Sequence, residues 1–208
     1  DNADWKDMRD LKRYLLETAN EALDDAMEIM ENNASDFESW KNSDLFTVFK
    51  KNIIRHTKEF QRSFDISNSR KTFLSLQAPM LEVEEQYLLP MLGQCTLDFI
   101  KAVSADDIVI RVQELTRLAV GALTVAKVAI TGKFLFTSTS FQVRTDELPW
   151  EKSKLELTAN ALENLQADRQ NAGEEYLKLI KSIIVQNPLV FTCYEDKPSK
   201  GLKDKIVI

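Results

Sequence analysis

A chain of 208 residues with an apolar fraction of 44%, a charged fraction of 29% and a net charge of −6 fits one globular domain and argues against general disorder. Gly and Pro, at five each, are too few for a turn-rich sheet protein, and the acidic balance argues against nucleic acid as a partner, because that binding rests on basic surface. The charge is uneven: residues 1–32 carry ten acids against four bases, and residues 41–71 carry eight bases against three acids. Two neighbouring helices that attract each other would account for this, as would a basic face for an anionic partner such as phospholipid.

The first helix is expected over residues 4–32. Met8, Leu15, Ala19, Ala22, Ala26 and Ile29 follow the four-three spacing of one buried face, and Leu11, Leu16, Leu23 and Met30 widen it. Asp4 and Asp7 sit where the helix dipole favours acid. "ENNASD" ends the pattern, and Asn33-Ala34-Ser35 within it is a glycosylation sequon. Asn42 or Ser43 caps a second helix, about 44–64, with Leu45, Phe49, Ile53, Phe60 and Phe64 on one side. "DISNSRK" reads as a loop. The third helical region, about 70–103, contains Pro79, read as a restart, and Pro90, read as a kink or interruption.

Ser104, followed by Asp106 and Asp107, opens the fourth helix. Its stripe is Ile108, Val112, Leu115, Ala119, Ala122, Ala126 and Ala129, and from Leu118 onward nearly every direction is apolar, the mark of a helix surrounded by others. After Gly132, "KFLFTSTSFQVRT" is rich in residues that prefer extended structure, so a short strand-like or hairpin excursion is expected over 134–143. Pro149 then opens a long helix to about Asn187, with Leu155, Leu162, Leu165, Ala172, Tyr176, Leu179 and Ile183 in heptad spacing. "LVFTCY" reads as extended and packed, and residues 195–208 as a mobile tail. The fold expected is all-α: a single domain built as an elongated antiparallel bundle of about five helices.

Chemistry is sparse. His56 is the one histidine; the chain therefore lacks the paired Glu-x-x-His motifs of a dimetal bundle and the spacing of a zinc site. The reading of His56 is a locally hydrogen-bonded side chain, with a pH-sensitive interface as the sharper alternative. The acids Asp24-Asp25, Glu82, Glu84 and Glu85, Asp106-Asp107 and Glu174-Glu175 fall at positions that read as solvated faces or caps. No catalytic residue, metal ligand or cofactor is expected.

Three features suggest an extracytosolic protein: a first residue, Asp1, that is not methionine, the sequon at Asn33, and Cys95 with Cys193, a pair whose bridge would pin the C-terminal tail to the body. The apolar run "LAVGALTVAKVAITGKFLF", residues 118–136, is long enough to span a bilayer, but Lys127 at its middle makes a constitutive span unfavourable by roughly 2.5–3.5 kcal/mol. It reads as the central helix of a bundle, with conditional membrane insertion as the sharper alternative. The expected function is that of a secreted, non-enzymatic helical-bundle protein that binds a protein partner or a hydrophobic small molecule. The alternative is a membrane-active or pore-forming protein using residues 118–143. Leu118, Leu123, Lys127, Phe134, Phe136 and Phe141 are the candidate ligand or membrane contacts.

Overall fold

A computed structural model of the chain describes residues 2–43, 46, 51–131, 133–136, 141–143 and 157–195. Among these, the helices are α1 (Asn2–Asn32), α2 (Glu38–Lys41), α3 (Thr57–Gln61), α4 (Arg70–Val83), α5 (Leu89–Leu92), α6 (Gln94–Lys101), α7 (Asp107–Val128) and α8 (Ala159–Gln186). One π-helical turn, Glu84–Leu88, joins α4 to α5, and a two-stranded hairpin, β1 (Phe134–Phe136) with β2 (Phe141–Val143), follows α7. The molecule is an all-α bundle with that hairpin as its extended excursion.

α7 is the centre. Asp106 caps it by accepting hydrogen bonds from the backbone N–H of Ile108 and Val109 at 2.8 and 3.2 Å, which satisfies two of the orphan donors of a first turn. Ser104 lies outside the helix and supports the cap, its hydroxyl accepting from the Asp106 N–H. From Ala119 to Ala126 every residue is buried. Helix α8 packs along α7, and α4 covers another side.

The expected heptad residues Leu162, Leu165, Tyr176 and Ile183 of α8 pack against the core half-buried, and toward the C-terminal half the fully buried positions lie one residue further on. Gly173, Leu177, Ile180 and Ile184 are buried, whereas Leu179 is exposed. Gly173 explains the shift: a Cβ there would lie 2.5 Å from Leu123 Cγ, so the missing side chain admits Leu123 and sets the closest approach of the two helices. Thr158 caps α8 by accepting from Ala161 N–H, and its 28 residues span about 42 Å. Pro149 and Leu155 lie outside the described residues.

Two further expectations change. The second helix does not run through 52–56; helix resumes only at α3. The buried Ile53 there gives its backbone N–H to the Glu84 carboxylate at 2.8 Å instead of to a helical carbonyl. Residues 44–45 and 47–50 lie outside the described set. Pro79 sits inside α4 with no restart, removing only the donor that the Ser75 carbonyl would have used. Pro90 follows directly on the π turn, whose wider winding relieves the clash a proline ring makes with the preceding turn. The α-helix is thus interrupted just ahead of Pro90, and it ends at Gly93, where φ is 74°, a value glycine adopts without a steric penalty.

The hairpin closes one end of the core. Phe134 pairs with Val143 and Phe136 with Phe141, and the three phenylalanines are buried together with Phe60. Phe136 and Phe141 stack at 4.8 Å, and Phe134 meets Phe141 edge-on at 5.5 Å. A disulfide joins Cys95 on α6 to Cys193 beyond α8, and Phe99 packs edge-on against Phe191 beside it.

Candidate interaction surface

The first helix docks the wrong way round for its hydrophobic pattern. Its acidic face lies on the body. Asp24, only 3% exposed, pairs with Arg70 and accepts a hydrogen bond from the Thr57 hydroxyl at 2.9 Å. Asp25 pairs with Lys58 at 2.6 Å, and Glu31 takes Arg55 at 3.2 Å and His56 Nε2 at 3.0 Å. The partners all come from residues 55–70, within the base-rich segment of the sequence. Electrostatic attraction between neighbouring segments is therefore the use made of the charge asymmetry.

The expected buried face of α1 points outward. Leu15 precedes Asp24 by nine residues, half a turn out of phase at 100° per residue. Met8, Leu11, Leu15, Leu16, Leu23 and Ile29 are 49–56% exposed, and Ala19, Ala22 and Ala26 between them are exposed too. Asp24 is the one fully buried residue among the α1 side chains described. The physical reason is that a helix presents either its acids or its apolar stripe to a given neighbour. Here the neighbour is basic and can satisfy a buried carboxylate with a guanidinium and a hydroxyl, the condition under which such burial is tolerated.

A second polar cluster lies beneath the C-terminal end of α1. Glu84, 2% exposed in the π turn, holds Lys101 Nζ at 2.5 Å as well as the Ile53 N–H. Burial raises its pKa above the ordinary carboxylate value, and the Lys101 contact only partly offsets this. Asp24 and Glu84 thus both correct the expectation of solvated acids. Burial lowers the His56 pKa, but the hydrogen bond to Glu31, with the charges of Glu59, Glu31 and Glu28, outweighs it and leaves the imidazole above its usual value. His56 precedes α3 and does not lie on a helical stripe.

An open cleft of 180 Å³ beside this cluster is lined by Arg55, Lys101, Gln113 and Arg117. Its cationic groups are already engaged: Arg55 with Glu31, Lys101 with Glu84, and Arg117 with Glu59 at 3.2 Å. Gln113 donates to the carbonyls of Ile100 and Ala102 at 2.8 and 2.7 Å. A second hollow, of 20 Å³, lies between Phe99 and Cys193.

The residues singled out in the apolar run lie inside. Leu123, Phe134, Phe136 and Phe141 are buried and Leu118 is half-buried. Lys127 lies at the helix edge, bonded to Glu82 at 2.9 Å and Gln86 at 3.1 Å. Asn33 is exposed in the turn after α1, its amide donating to the Ile29 carbonyl at 2.8 Å. Among the described residues, no helix is long and apolar enough to cross a membrane, and no group of three His, Cys, Asp or Glu is placed to hold a metal ion. The surface that sequence reasoning missed is the outer face of α1. Its signal was present in the opposed charges of residues 1–32 and 41–71. No family model matches this chain, and neither a curated protein nor a solved structure does.

Proposed function

We propose that this is a secreted, non-enzymatic helical-bundle protein that acts by binding a protein partner through the outer face of α1. The observation that carries the reading is the row of half-exposed large apolar side chains from Met8 to Ile29 on a helix whose other face is engaged by ion pairs. Exposed apolar surface of this extent, bordered by polar residues, is characteristic of protein contact sites. Secretion is supported by the Cys95–Cys193 bridge and by the exposed sequon at Asn33. A hydrophobic small molecule is the less favoured ligand for the two clefts found among the described residues, since 20 and 180 Å³ fall below the roughly 300 Å³ at which pockets for such molecules begin. The membrane-active alternative draws no support from Leu123 or the phenylalanines, which are committed to packing.

The test is a photoreactive phenylalanine analogue placed at Leu15 and, as a control, at the exposed Lys178 of α8. Irradiation in the protein's native fluid is expected to give protein adducts from position 15 and not from 178. Adducts with lipid alone, or equal labelling from both positions, would overturn the reading.

A further inference from the structure

The outer face of α1 has the properties of a surface made to pair with itself. We infer that it is covered by a second copy of this chain, the two α1 helices running antiparallel in a two-fold dimer. The inference rests on the reading of α1 as a protein-contact surface and names the partner.

Area is the first argument. Helix α1 has 31 residues and is about 46 Å long. Its six large apolar side chains, each about half exposed, present on the order of 600 Å², and Ala19, Ala22 and Ala26 add to it. That approaches the roughly 800 Å² which each partner buries in a stable interface of standard size. One helix pair therefore supplies most of such an interface.

Shape is the second. The first half of the stripe is large, with Met8, Leu11 and Leu15, and the middle of the second half is small, with Ala22 and Ala26. Antiparallel pairing lays Leu15 over Ala22 of the other copy, Leu11 over Ala26 and Met8 beside Ile29, and the two-fold axis repeats each contact. Parallel pairing would stack large on large and small on small. A large residue set against a small one lets the helices approach closely without a void.

Charge is the third. All four bases of residues 1–32 fall between Lys6 and Arg13, whereas residues 17–31 hold six acids and no base. Five of those six acids lie within about 60° of Asp24 around the helix, on the side held by the body, so the apolar face sets little like charge against a second copy. The same distribution disfavours an anionic lipid surface, since helices that lie on membranes carry Lys and Arg along the polar face. A two-fold arrangement also closes on itself and leaves no repeating contact for further copies.

The experiment is sedimentation equilibrium of the full, disulfide-bonded chain across about 1 to 100 µM, the range in which an interface of this size associates. The mass is expected to move from 23.8 kDa toward twice that value with concentration. L11E/L15E is expected to stay monomeric with an unchanged circular dichroism spectrum. Direction is read by cysteine pairing under mild oxidation: Ala19→Cys alone should cross-link, Met8→Cys alone should not, and Met8→Cys with Ile29→Cys should. A dimer that L11E/L15E leaves intact, or efficient cross-linking by Met8→Cys alone, overturns the inference. A wild-type chain that remains monomeric also overturns it, and the Leu15 photoprobe then separates two cases. Adducts with a different protein leave the contact-surface reading standing, and no adduct removes both.

Discussion

Helices α1 and α7 both carry clear apolar stripes, and they end in opposite situations. Helix α7 is enclosed, with every residue from Ala119 to Ala126 buried. Helix α1 turns its stripe to solvent and is held by Asp24, Asp25 and Glu31 on cations of the body. A hydrophobic period fixes the phase of the apolar face relative to the polar one, but it does not name what covers either face. In α7 the question does not arise, because almost every direction is apolar. In α1 the charge of a segment more than twenty residues away decided the orientation.

The sharpest way to test this contrast is to remove the same atoms from both helices. Leu123→Ala takes a fully buried side chain out of the seam with Gly173 and is expected to cost about 3–5 kcal/mol. Leu15→Ala, on a residue 55% exposed, is expected to stay within about 0.5 kcal/mol when the chain is dilute enough to be monomeric. Urea unfolding checks both, the midpoint moving and the slope staying constant. Equal losses would mean that the stripe of α1 packs on the body and that the contrast is wrong.

The legible parts were those in which local pattern and final environment agree. The continuous apolar character after Leu118 fits the buried helix, the Phe, Thr and Val of 134–143 fit the hairpin, and Cys95 and Cys193 form the bridge. The α8 heptad placed Leu162, Leu165, Tyr176 and Ile183 against the core but missed its deepest line, because Gly173 carries no apolar signal although its lack of a side chain is what admits Leu123. Asp24 and Glu84 read as solvated because each sits beside another acid in sequence. Their partners, Arg70 and Lys101, are distant in the chain and belong to no local period. The helix expected over 44–64 failed at Ile53 for the same reason, its N–H being satisfied by Glu84.

Glu84 and Asp24 are buried to the same depth, and what differs is whether the element that carries each can leave the body. Lys101→Met leaves Glu84 buried with its Ile53 hydrogen bond but without its ion-pair partner, and is expected to cost about 3 kcal/mol at neutral pH. Because burial already holds the Glu84 pKa above its ordinary value, loss of Lys101 raises it further. The penalty should shrink as pH falls toward about 4 and the carboxyl takes up a proton. Denaturant titrations at the two pH values check this; a penalty independent of pH would remove the charge argument.

At α1 the corresponding change should act locally. Arg70→Met deprives the buried Asp24 of its cation, but the helix can leave the body and return the carboxylate to water. That escape limits the loss to about 1–2 kcal/mol. Amide exchange should rise across residues 17–31 while the amides of α7 keep their protection. Uniform loss of protection in both helices would show that α1 is part of the cooperative core.

The smallest effect expected is the dependence of α1 docking on pH, and its sign follows from His56. Its imidazole faces Glu31 at 3.0 Å, with Glu28 and Glu59 adding negative charge around it, and these hold its pKa above the value in the unfolded chain. A group whose folded pKa is raised stabilises fully below the unfolded pKa, near 6.5, and loses that contribution as pH climbs through the folded value. Helix α1 should therefore be held more tightly at about pH 6 than at about pH 8. Limited proteolysis within α1, with the protease rate corrected at each pH, is expected to accelerate toward the alkaline end. His56→Gln should flatten the profile, because the amide can still donate to Glu31 but cannot titrate. A profile that survives that substitution would place the pH dependence elsewhere and leave Arg55, Lys58 and Arg70 as the charges that hold α1.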